Sequence, residues 1–469
     1  MAKRMTDAVR YADKAFLGHP RGLAWLSFSE VWERFSYYGM QALLVLYMTH
    51  YLLLPGHVEH VAGFGPFRAA IESAYGPLSP QALASAIFGL YAGFVYLTPI
   101  LGGILADRVI GRTNTIIVGA LLMTAGHFLM AFEVSFLPAM FCLLIGIGCF
   151  KGNIATQVGE LYAPGDPRRA DAFQIYMLGI QLAVIVSPLV CGTLGEVYGW
   201  HWGFGAAGVG MLIGLTTYLA GRPWLPPEPK IARGTARVPR APLLPGEGRT
   251  IVVLALIVPV LAVASVGNQE IFNAYLVWGE ANYQLVFFGK TMPITWLVSF
   301  DAIFSTVTLL LAVMFWRWWS KRWKEPNEMT KLTIGIVIAA LAPLTLATAS
   351  AIVATTGQKV GLGWAVAFEL LNDFGFANFF PVGLALFSRA APKALGGMMI
   401  GVFYLHLFIG NMLVGWLGGL LERMSGTSFW LMHAGLIAGA AVVLVVVRSA
   451  AGRVLAPAAL IDDGVVRAA

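Results

Sequence analysis

Three charged side chains within five residues, Glu30, Glu33 and Arg34, stand in a stretch otherwise apolar enough to cross a membrane. A charge at the centre of a membrane helix costs about 2.5–3.5 kcal/mol on insertion scales, and is tolerated where charges pair or line a water-filled path. At about 100° per residue, Glu30, Glu33, Arg34, Tyr37, Tyr38 and Gln41 fall within one arc of roughly 140°. Val31, Trp32, Phe35 and Gly39 take most of the remaining surface. The spacing therefore predicts a helix with one polar stripe and one face for lipid or neighbouring helices. Lys151 is a second chemical landmark, a lone cation in an apolar stretch that needs a counter-ion. Glu30 and Glu33 are its expected partners, and a carboxylate between Arg34 and Lys151 would bind or release a proton as the pair rearranged.

The elements that must position these groups are membrane helices. Of the 469 residues 58% are hydrophobic and 12% charged, and the mean hydropathy is +0.74; a soluble protein carries about twice that charge. Apolar runs of spanning length are read near 23–54, 82–106, 113–132, 136–161, 171–198, 202–221, 250–278, 293–316, 331–353, 361–387, 396–420 and 428–448. The basic segment Met1–Arg21 has no short apolar core or cleavage site of a signal peptide. Twelve spans place every second connection on the inner side. Of the 31 Lys and Arg, only Arg68, Lys290, Lys359 and Arg423 fall in predicted outer loops, and Arg34 and Lys151 within spans. This positive-inside bias supports the count and places both termini in the cytoplasm. It also accounts for the net charge of +7 without a nucleic-acid partner. Cys142, Cys149 and Cys191 lie in apolar segments without metal-ligand spacing, so no metal site is expected.

The longest inner connection, 222–249, is rich in Pro and basic residues and reads as a linker. The expected organisation is a six-helix bundle over 1–221, the linker, a second six-helix bundle over 250–450, and a cytoplasmic tail over 451–469. Two facing halves around a midplane site are a common transporter design. In the inner loop after span two, Gly102, Gly103 and Gly111 allow close approach and a tight turn. Asp107 there can accept from a neighbouring helix amino terminus, while Arg108 and Arg112 hold the loop at the membrane surface. This loop resembles the signature of the major facilitator superfamily, which implies an all-α fold of twelve transmembrane helices in two six-helix bundles and a gating role for Asp107 and Arg108.

The resemblance narrows at Glu30-Val31-Trp32-Glu33-Arg34-Phe35-Ser36-Tyr37-Tyr38-Gly39-Met40. It is similar to the first-helix signature of the proton-dependent oligopeptide transporter (POT/PTR2) family. Further matches are Tyr96-Leu97-Thr98-Pro99, Phe150-Lys151-Gly152-Asn153-Ile154, Asp166-Pro167-Arg168-Arg169, Pro381-Val382-Gly383-Leu384, Gly401-Val402-Phe403-Tyr404-Leu405 and Gly410-Asn411. The resemblance implies a proton-coupled symporter of the cell inner membrane that imports di- and tripeptides by alternating access. It would work as a monomer, with the proton gradient as energy source and no cofactor. Glu30, Glu33, Arg34 and Lys151 would couple the proton. Because peptides are zwitterions, Arg34 and Lys151 suit the carboxylate, and Tyr37, Tyr38 and Tyr91 each offer an aromatic wall with a hydroxyl.

This chain departs from the family around the expected substrate site. The span-ten glutamate that receives the peptide amino group is replaced by Phe376. Gln181 and Asp301 stand where asparagines are usual, Phe403 where a tryptophan is common, and Glu270 in a Glu-Gln pair of reversed order, with an outer-gate role. Asp301 or Asp373 could receive an ammonium group, and His406 could titrate or satisfy a backbone carbonyl. The alternative reading is therefore a proton-coupled transporter of another small amphipathic or anionic metabolite, or of a modified peptide. A membrane enzyme would need a Ser-His-Asp set, metal-spaced histidines or a phosphate loop, and none appears.

Overall fold

The computed structural model describes residues 13–163, 165–227, 243, 246–392 and 395–455. The amino-terminal residues before 13, most of the expected linker, Lys393 and the tail beyond 455 lie outside the described residues. Each expected span corresponds to a helix: Arg21–Tyr47, Pro80–Phe94 with Thr98–Leu105, Arg112–Leu129, Phe136–Glu160, Arg168–Ser187, Trp200–Gly221, Glu247–Ala264, Trp296–Ser320, Glu328–Thr356, Gly363–Ala390, Gly396–Gly418 and Gly426–Ala451. These are spans one to twelve below. Among the described residues, ten helices are long and apolar enough to cross a membrane. The other two are span one, which carries the charged stripe, and span three, whose first turn is the polar run Arg112–Thr115.

Local chemistry sets several helix ends. Ser79, Asn327 and Ser425 each accept a hydrogen bond from a backbone N–H three residues on, and Pro80 follows Ser79 at the first helical position. These side chains satisfy N–H groups that a helix start leaves without a partner. Between spans two and three the chain turns at Gly111, whose φ of +81° is open to glycine at little cost. A short helix, Phe64–Tyr75, stands in the first outer connection, between the expected spans 23–54 and 82–106. There the Leu78 N–H and the Arg68 guanidinium hold the Glu72 carboxyl below the usual range.

The chain divides into two compact units, Met1–Thr235 with Leu285–Ala302, and Ala236–Gln284 with Ile303–Ala469. In the first, span one packs against spans five and six, span three against span four, and Thr98–Leu105 against span four. Glycines permit these approaches: a Cβ at Gly39 would meet the Cys191 sulfur at 2.5 Å, and one at Gly102 the Gly148 carbonyl oxygen at 2.0 Å. Residues Leu285–Ala302 are tied to this unit by Glu196, which accepts from the N–H groups of Ile294 and Thr295 at 2.9 and 3.0 Å and from the Thr295 hydroxyl at 2.6 Å. The start of the expected linker is ordered, with Trp224 stacked on Trp25 of span one at 5.6 Å.

In the second unit, span nine packs against spans ten and twelve, and span seven against eleven and twelve. Its apolar core includes Leu254, Ile257, Leu261, Leu332, Phe379 and Leu444. Span seven is discontinuous. It gives way after Ala264 to the short helix Val266–Gln269, a tight turn Glu270–Phe272, and a last helix Ala274–Asn282. Asn273 at the break leaves the helical region, with φ −127° and ψ −112°.

Candidate functional site

The stripe of span one is buried within the first unit. Glu33 is fully buried, Glu30, Arg34, Tyr37 and Gln41 are nearly so, and Tyr38 is half-buried. Arg34 binds both carboxylates of its own helix. Its Nη2 donates to Glu33 Oε1 at 2.8 Å, and its Nε lies 2.5 Å from Glu33 Oε2 and 3.1 Å from Glu30 Oε1. The guanidinium also sits 5.3 Å from the centre of the Tyr37 ring and hydrogen-bonds Tyr38. One cation thus holds two acids in a dry site, where Coulomb forces are much stronger than in water.

Lys151 reaches the same site from span four, in electrostatic range of Arg34, Glu33 and Glu30. The expected counter-ion contact is not made: among the described residues no carboxylate oxygen lies within 4 Å of its ammonium. The ammonium instead lies 5.2 Å from the centre of the Tyr96 ring, a cation–π contact. The physical reason is that Arg34, with five donors on the same helix as the acids, pairs with both carboxylates first. Tyr91 is buried within range of Glu33 and Arg34, and Tyr37 neighbours both Tyr91 and Tyr96.

Sequence reasoning missed Tyr176 of span five. It is 3% exposed and its hydroxyl hydrogen-bonds Glu30, so it ties span five to the acid pair. A lone tyrosine in an apolar helix gives no signal of this kind. Tyr176→Phe leaves Glu30 one donor short, and is expected to lower proton-driven uptake into vesicles by roughly three- to tenfold, equivalent to about 0.7–1.4 kcal/mol. Unchanged uptake would remove Tyr176 from the site.

Of the other expected residues, Gln181 is half-buried on span five and Asp301 buried near the start of span eight. Asp107, expected to accept from a helix amino terminus, instead receives Arg112 Nη2 at 3.3 Å; Arg112 also contacts Glu160 at the end of span four. Arg112 opens span three, so its long side chain reaches back over the turn before a backbone N–H does. Arg108 is exposed. In the following inner loop the Arg168 guanidinium, 2.7 Å from Asp166, holds that carboxyl below the usual range.

Phe376, Phe403, Glu270, Asp373 and His406 belong to the second unit. Phe376 stacks on Phe380 at 4.9 Å, and Phe380 meets Phe403 at 5.4 Å. His406 donates Nδ1–H to the Phe403 carbonyl. Asp373 accepts from Asn372 at 3.4 Å. Glu270 is fully buried and faces His433 of span twelve.

These helices carry a buried acid–cation site within one unit and an aromatic, acid-bearing interior in the other. The same fold is seen in the crystal structure of a peptide transporter, POT, in complex with sulfate, at TM-score 0.80 and 24% identity over 96% of this chain and 99% of that one. The class is thus a multi-pass membrane protein of that fold. A di-/tripeptide transporter of Lactococcus lactis subsp. cremoris is 30% identical over 464 residues, covering 84% of this chain and 88% of the relative. The uncharacterised transporter YclF of Bacillus subtilis (strain 168) is 28% identical over 479 residues, covering 89% and 91%. Residues 113–239 match the profile of the POT family, and the chain belongs to that family.

Proposed function

We propose that this protein is a proton-coupled symporter that imports di- and tripeptides by alternating access, as a monomer of the cell inner membrane with both termini in the cytoplasm. The proton gradient is its energy source, and it uses no cofactor. The observation that carries the reading is the buried cluster in which Arg34 holds Glu30 and Glu33 within range of Lys151. A protonation there changes which cation the acids hold, and Lys151, which among the described residues has no carboxylate oxygen within 4 Å and lies over the Tyr96 ring, can take a substrate carboxylate. Tyr37, Tyr38 and Tyr91 supply walls and hydroxyls for the peptide. Gln181, Asp301, Phe376 and Phe403 complete the substrate contacts, and Asp107, Arg108 and Glu270 act in gating. Relatives with a named cargo, such as the Lactococcus lactis transporter, favour peptides over other metabolites.

Substrate class is tested by competition. Uptake of labelled dialanine into vesicles reconstituted with the full chain should be inhibited by unlabelled di- and tripeptides and not by free alanine. Inhibition by alanine or by an unrelated anion, with peptides inert, would refute the peptide reading.

A further inference from the structure

We propose that Glu270 and His433 form a second proton-binding site, inside the second unit, and that its proton holds closed the break in span seven. The part this site plays in transport rests on the proton-coupled reading above. His433 and Glu270 are both fully buried. His433 Nδ1 lies 2.8 Å from the Phe429 carbonyl oxygen. A carbonyl oxygen only accepts, so Nδ1 carries the hydrogen. His433 Nε2 then faces Glu270 Oε1 at 3.2 Å. With Nδ1 protonated, a neutral imidazole presents a bare lone pair at Nε2, and an ionised carboxylate presents lone pairs in return. Such a contact is repulsive unless one proton lies between them, either on Nε2, giving imidazolium against carboxylate, or on Oε1, giving neutral imidazole against carboxylic acid. The other carboxylate oxygen is occupied, accepting from the Ala274 N–H at 3.0 Å.

Among the described residues, no Lys or Arg pairs with Glu270. The packed elements bring Glu369 and Asp373 from span ten, Tyr275 from span seven itself, and His406 from span eleven. Arg389 and Arg448 stand in the last turns of their helices. Span nine carries ionisable groups only in its first turns, Glu328 and Lys331. Loss of the proton therefore leaves a buried negative charge facing a bare imidazole lone pair, which is relieved by separating span seven from span twelve. The chain is prepared for that movement. Glu270 begins the tight turn of the discontinuous span, and Asn273 beside it donates to the Val414 carbonyl at 3.2 Å rather than continuing the helix. Short 3-10 turns inside a long helix mark hinges, and broken helices are where membrane transporters gather ions.

The test uses the full-length protein with nitrogen-15-labelled histidine in lipid nanodiscs, with His433→Gln identifying the resonance. The expected spectrum has Nδ1 protonated and Nε2 either protonated or in a strong hydrogen bond. In Glu270→Gln the Nε2 signal moves to that of a neutral ring, and the pH profile of peptide uptake flattens, with at least a fivefold loss at its optimum. A neutral Nε2–H tautomer in the wild-type spectrum overturns the site, even where a variant fails to fold. A Glu270→Gln profile that superimposes on the wild type overturns the hinge role. If wild-type uptake ignores the proton gradient, the coupled reading falls and the hinge role with it, while the spectrum still decides whether the pair holds a proton.

Discussion

Glu33→Gln is expected to lower proton-driven peptide uptake more than tenfold while leaving exchange of labelled for unlabelled peptide across the same vesicles largely intact. Glu33 is fully buried, accepts from Arg34 Nη2 at 2.8 Å through Oε1 and lies 2.5 Å from Arg34 Nε through Oε2. Glutamine keeps the size of the side chain and one acceptor, and Glu30 remains 3.1 Å from the Arg34 Nε. The arginine is thus not stranded, and the cost of a cation buried alone, about 3–5 kcal/mol, is avoided. The charge that a proton can cancel is gone. Exchange needs the protein only to reorient with substrate bound, whereas gradient-driven accumulation needs the proton to bind and leave. Loss of both activities together would make Glu33 structural, and loss of neither would take it out of coupling.

Gly102→Val is expected to abolish production of folded protein, whereas Gly103→Val one residue away is tolerated. A Cβ at Gly102 would lie 2.0 Å from the Gly148 carbonyl oxygen, 2.6 Å from its carbonyl carbon and 2.9 Å from the Cys149 Cα. All three are backbone atoms of span four, and Asn153 of that helix donates to the Gly102 carbonyl at 3.3 Å. Neither helix can give without separating spans two and four, and Lys151 would move with them. Overpacking costs about 1–3 kcal/mol where side chains can adjust; against backbone the cost exceeds that range. Gly103 has open space where its Cβ would stand. Size-exclusion profiles and thermal unfolding in detergent separate the two, and a monodisperse, stable Gly102→Val protein would contradict the close crossing.

The spans were legible because each needs only a run of apolar residues, and the positive-inside count fixed their phase. The stripe was legible because its residues share one helix, so a period of 3.6 places them together. Partner choice across helices was not. That Arg34 would pair with both acids and leave Lys151 over Tyr96 depends on distances between spans one, two and four. Tyr176 and Glu30 meet only because span five packs on span one, and Glu270 meets His433 only through the packing of spans seven and twelve. The break in span seven has no Pro at its turn to announce it; Pro259 lies inside the preceding helix.

Gradient-driven uptake is the most direct measurement. The purified full chain is reconstituted into vesicles, labelled dialanine is placed outside, and an inward proton gradient is imposed and then collapsed with an ionophore. Proton coupling predicts accumulation above the external concentration while the gradient lasts, with acidification of the vesicle interior in step with peptide entry, and discharge to equilibrium once it collapses. Uptake that reaches the same level with and without the gradient would contradict it.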